Sequence, residues 1–73
     1  MNYKYLIYYV FSSMKNRLEG NIIVKRTSPI DSEEVFESVC RQITETLPTD
    51  LEWIKNAVDS GQTILIANII KLG

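Results

Sequence analysis

Tyr3-Lys4-Tyr5-Leu6-Ile7-Tyr8-Tyr9-Val10-Phe11 fills both of its alternating sets with apolar side chains. Tyr3, Tyr5, Ile7, Tyr9 and Phe11 fall on one side of an extended chain, and Leu6, Tyr8 and Val10 on the other. A strand apolar on both sides belongs in the middle of a sheet, because each of its faces needs a cover. At the far end of the chain, Gln62–Leu72 repeats the pattern: Ile64, Ile66, Ile70 and Leu72 alternate with Leu65, Ala67 and Ile69.

Between these two runs the pattern changes twice. Ser12–Glu19 (SSMKNRLE) is polar, and Gly20-Asn21 then opens a second extended run, Ile22–Arg26. The two runs therefore read as a hairpin joined by a long loop with a mobile tip, in which Gly20 is a turn residue. Helical spacing follows. Asp31 with Glu34 three residues on forms a capping box, and Ile30 staples to Val35. Val35, Phe36, Val39, Cys40, Ile43 and Leu47 make one apolar stripe opposite Glu33, Glu37, Ser38, Arg41, Gln42 and Glu45. Pro48 stops this helix, Thr49 with Glu52 offers a second capping box, and Leu51, Ile54, Ala57 and Val58 predict a short helix ending near Gly61. The reading is a single α+β domain over residues 1–73, ββα(α)β, with an antiparallel three-stranded sheet of order 2-1-3 and both helices on one face.

Composition narrows the function. Eight Lys+Arg against nine Asp+Glu leave a net charge of −1, not the basic excess of a general phosphate-binding surface. One cysteine, Cys40, and no histidine exclude a disulfide framework and a histidine-based metal staple. No cofactor is expected. No apolar run approaches the roughly 18 residues of a membrane span, and the start lacks a basic segment followed by an apolar core and a cleavage site, so a cytoplasmic protein without membrane association is expected. Cys40 lies mid-helix in the apolar stripe without a histidine to take its proton, and reads as packing. Asp31, Glu33, Glu34 and Glu37 sit where the positive end of a helix dipole favours acids. Nothing here assembles a catalytic constellation, so the chain is read as non-enzymatic.

The faces do not balance. Two helices cover one side of a three-stranded sheet, yet the first and last strands are apolar on both sides. The uncovered set is either Leu6, Tyr8, Val10, Leu65 and Ile69, or the alternative with Tyr5, Ile7, Tyr9, Ile64 and Ile66. One explanation is partial shielding by the hairpin loop and by tyrosines that tolerate water. The sharper one is a protein interface built from Tyr3, Tyr5, Tyr8, Tyr9, Ile64 and Ile66, first for a second copy of the chain as a homodimer, second for a heterologous protein. The alternative is a nucleic-acid-binding regulator using Lys15, Arg17, Lys25 and Arg26 around the hairpin. It is the weaker reading, because GNIIVKR lacks the stacking aromatics of an RNA-binding strand. Trp53 either caps the edge of the core or stands exposed as an interface residue.

The chain also resembles small ββαβ proteins encoded by phages, prophages and other mobile elements. The resemblance is carried by Tyr8-Tyr9-Val10-Phe11, Gly20-Asn21-Ile22-Ile23-Val24, Ile30-Asp31-Ser32-Glu33-Glu34-Val35, and Ile66-Ala67-Asn68 with Leu72. It covers most of the chain, although residues 48–61 form a longer helix-to-strand connection than such proteins have. It implies an accessory protein that binds and inhibits or redirects a host protein, including a defence system, and it carries over no catalytic residue.

Overall fold

The computed structural model describes residues 2–73. It is an α+β fold in the order β1 (Tyr3–Ser13), β2 (Asn16–Arg26), α1 (Glu33–Thr44), α2 (Glu52–Asp59) and β3 (Leu65–Lys71). The sheet has the order β2-β1-β3 with both neighbouring pairs antiparallel. As the doubly apolar sequence of β1 requires, that strand is central.

The long hairpin loop does not exist. β1 and β2 pair without interruption from Tyr3↔Arg26 to Ser13↔Asn16, leaving Met14 and Lys15 as a two-residue turn. The polar stretch that reads as a loop is an alternating, half-buried strand. Leu18 points to the core opposite Phe11, while Arg17 and Glu19 point away from it. Met14 takes the positive φ (55°) that such a turn demands at its first position, where glycine is the usual choice. Gly20 is likewise no turn residue. It lies mid-strand opposite Tyr9, and a Cβ built there would come within 2.6 Å of the Tyr9 hydroxyl. The glycine makes room for the ring, which covers the backbone that glycine leaves bare.

Four further boundaries move. Ser32, not Asp31, caps α1: its backbone is extended (φ −138°, ψ 159°), and its Oγ accepts from the Val35 N–H at 3.2 Å. Helix α1 ends at Thr44, before Pro48, and Leu47 is buried from the turn beyond it. Helix α2 starts after Leu51 with no side-chain cap, so the Thr49–Glu52 box is not formed. β3 begins at Leu65 rather than Gln62, and its alternation breaks: Tyr8 pairs with Asn68 but Tyr9 pairs with Ile66, which leaves Ala67 as a bulge. That extra residue inverts the parity of everything after it. Ile69 therefore joins Ile64 and Ile66 on the helix side, opposite Ile7, while Ile70 moves to the other face opposite Leu6.

The core lies between the helices and one sheet face. Ile7, Phe11, Val39, Ile43, Ile54 and Ile64 are almost wholly buried, joined by Tyr5, Cys40, Leu47 and Ala57. Trp53 of α2 stacks on Phe11 with ring centroids 5.9 Å apart, which settles it as a cap on the core edge beneath the hairpin tip. The Gln62 side-chain amide donates to the Ser12 carbonyl at the same end. At the opposite end, the Ile30 N–H donates to the Tyr5 hydroxyl at 3.2 Å. Thr44 is the one buried polar residue among those described. Its Oγ1 donates to the Cys40 carbonyl (2.7 Å) and accepts from the Ile64 N–H (3.0 Å), fastening the end of α1 to the approach of β3.

Candidate protein interface

The helix-free face of the sheet follows from register. Successive β1 residues alternate, so Leu6, Tyr8 and Val10 share the side opposite the core. Pairing brings Ile23 and Ile70 to either side of Leu6, Asn21 and Asn68 to either side of Tyr8, and Glu19 and Leu65 to either side of Val10. The exposures are unusual for side chains of this size: 69% for Leu65, 52% for Ile23, and 40% each for Tyr8 and Ile70, with Leu72 just beyond the strand at 48%. Together they present apolar surface on the order of 500 Å², at the upper end of what a monomer shows and often functional.

Polar groups frame this surface. Lys4 and Lys25 stand opposite one another at one end, and Ser12 and Arg17 at the other, with Glu19 between Arg17 and the centre. Arg17 is held by Glu19 through Nε (3.1 Å) and Nη2 (2.7 Å), the one salt bridge among the described residues. Lys4 and Lys25 have no acidic partner there, and two like charges directly across a strand pair oppose its formation.

Of the interface residues expected from sequence, Tyr8 alone lies on this face. Tyr5 and Ile64 are buried in the core, and Tyr3, Tyr9 and Ile66 are half-buried on the helix side. Of the two candidate faces, the structure leaves uncovered the one with Leu6, Tyr8, Val10 and Leu65, with Ile70 in place of Ile69 because of the bulge. Ile23, Asn21 and Asn68 were missed. The β2 residues could have been found by extending the alternation back through Glu19, but the Ala67 bulge leaves no comparable mark in the sequence.

The basic residues proposed for nucleic acid do not form one strip. Lys15 and Arg17 lie at the closed end of the hairpin and Lys25 and Arg26 at its open end, about 27 Å away for eight residues of strand. A cavity of about 470 Å³ at the open end is lined by Asn2, Tyr3, Lys4, Lys25, Arg26 and Thr27. Part of its charge is already engaged, since the Arg26 guanidinium reaches the Ser28 carbonyl (3.2 Å) and hydroxyl (3.4 Å); Lys71, outside the cavity lining, places its Nζ 5.6 Å from the centre of the Tyr3 ring.

Cys40 is a buried free thiol, and burial, reinforced by the charge of Glu37, pushes its pKa up and away from thiolate chemistry. No group of three or more metal-ligating side chains comes together among the described residues, and none of their helices is long and apolar enough to cross a membrane. No family model, curated protein or solved structure matches the chain.

Proposed function

We propose that this chain is a small non-enzymatic protein-binding module whose working surface is the helix-free sheet face around Tyr8. The observation that carries this reading is the cluster of Leu6, Tyr8, Val10, Ile23, Leu65 and Ile70 on a face to which no helix is committed. At about 25 cal/mol per Å², covering roughly 500 Å² is worth on the order of 12 kcal/mol before the cost of association, which is large beside the roughly 3–5 kcal/mol a core of this size supplies. Tyr8 suits such a surface, since its ring brings contact area with few rotatable bonds and its hydroxyl tolerates both water and a partner. The resemblance to mobile-element proteins supports a host protein as the target of such a module and inhibition as its effect.

The test is photo-crosslinking in cells from a benzophenone side chain replacing Leu65 on this face, with the same side chain replacing Lys55 on α2 as the control. A discrete adduct from position 65 and none from 55 supports the reading. Equal labelling from both positions, or none from either, removes it.

A further inference from the structure

We infer that in the free protein the occupant of this face is a second copy of the chain, which a host partner would displace, packed sheet against sheet with the strands of the two copies running antiparallel, and the inference rests on the interface reading above. Three observations lead there. The first is area: two faces of on the order of 500 Å² reach about 1,000 Å² of apolar surface, the size at which specific association begins, before the lysine stems and the two asparagines are counted.

The second is polarity at the centre. Tyr8 lies between Asn21 and Asn68, and none of these three side chains has a hydrogen-bond partner among the described residues. A purely apolar partner would strip water from all three without replacement. A hydroxyl and two carboxamides each donate and accept, and about a two-fold axis passing beside Tyr8 this row and its copy lie about 7 Å apart along the strands, a separation that bridging water spans.

The third is charge. Two sheets packed face to face keep their strands within about 30° of parallel or antiparallel alignment. A two-fold axis along the strands would set the Lys4–Lys25 pair of one copy against that of the other, bringing four cations together. An axis across the strands, passing between Leu6 and Tyr8, sets Lys25 of one copy over the Glu19 of the other, with Lys4 over the neighbouring Val10, at both ends of the interface. Midway between Lys4 and Val10, the pairing partner of Glu19, is Ile7, so this axis leaves Leu6 and Tyr8 at the middle of the contact. The antiparallel arrangement thus gives Lys25 the acid it lacks within the protomer.

The experiment is sedimentation equilibrium of the purified full chain over a concentration series. The wild type is expected to be a dimer that dissociates on dilution, and Leu65→Lys, at a position already open to solvent, to weaken it by about a hundredfold without loss of fold. Lys25→Glu places acid over Glu19 and is expected to weaken the dimer about tenfold at low salt, while Lys25→Glu combined with Glu19→Lys restores it. If the strands ran parallel, Lys25→Glu would set acid beside the partner's Lys4 and tighten the dimer, which overturns the arrangement. A wild type monomeric at hundreds of micromolar, or a dimer indifferent to Leu65→Lys, overturns the inference outright. In either case an adduct from position 65 with a different protein would leave the interface reading standing, so the two fail separately.

Discussion

Thr44→Val removes one hydroxyl and keeps the volume of the side chain. In the native protein that hydroxyl accepts from the Ile64 N–H at 3.0 Å and donates to the Cys40 carbonyl at 2.7 Å, and both Thr44 and Ile64 are buried. The valine fills the space but leaves the Ile64 N–H without a partner in a place water does not reach, at a cost of about 1–3 kcal/mol. Each kcal/mol lowers the Tm of a domain this size by about 4–8 °C, so the expected drop is on the order of 5–20 °C. Thermal unfolding followed by far-UV circular dichroism reads it directly, and hydrogen exchange shows where it acts, with the amides of β3 losing protection before those of the β1–β2 hairpin. Thr44→Ser, which keeps the hydroxyl and loses a methyl group, should cost only about 1 kcal/mol. A Thr44→Val protein as stable as wild type, or less damaged than Thr44→Ser, would refute the role assigned to this hydrogen bond.

Tyr8→Glu and Tyr9→Glu should separate the two faces, the first leaving a folded chain and the second an unfolded one, because the Tyr9 ring covers Gly20 on the helix side while Tyr8 is 40% exposed on the other; near-UV circular dichroism of the two variants checks this, and two folded proteins would contradict it. Met14→Gly should raise stability by up to about 1 kcal/mol in urea unfolding, since a side chain at φ 55° is strained where glycine is not and Met14 makes no buried contact to lose. Cys40 gives a pH signature of defined sign. A thiol whose pKa is raised in the folded state holds its full contribution below the ordinary thiol range, about 8.5, and loses it as pH rises from there through the raised value, because the unfolded chain ionises first. The stability difference between wild type and Cys40→Ala should therefore be flat from pH 6 to 8 and shrink above about pH 9; a difference that grows with pH would reverse the assignment.

The fold is legible in the sequence where one signal dominates. The double apolar alternation of Tyr3–Phe11 places β1 at the centre of the sheet, and the stripe from Val35 to Ile43 lays α1 against it. The errors share a cause, which is that a local pattern is compatible with two structures and a distant contact chooses. SSMKNRLE reads as a loop until Leu18 is set opposite Phe11 and Gly20 opposite Tyr9, whereupon the same residues form a half-buried strand. Asp31 and Ser32 are both competent caps, and the one whose backbone is extended at the right step takes the role. The candidate face was legible as a surplus, since the strands carry more apolar surface than two helices cover. Its membership was not, because it depends on the Ala67 bulge. In an unbroken ladder Ile70 would face the helices and Ile69 the outside; with the bulge, two isoleucines exchange sides and Asn68 arrives beside Tyr8.

The strand order β2-β1-β3 also has a consequence in time. β1 pairs first with its immediate neighbour through a two-residue turn, a contact of low sequence separation that forms within microseconds, but its other edge waits for β3, which the ribosome makes only after everything from Met14 to Ile64. At about 5–20 residues per second, that edge of a tyrosine- and isoleucine-rich strand is open for several seconds in each round of synthesis. α1 and α2 emerge during the interval and shield only the core face. The nascent hairpin thus meets the cell with an unpaired edge and a bare outer face together, so a chaperone, or another nascent copy on the same messenger, has its best access to this protein before the last strand arrives.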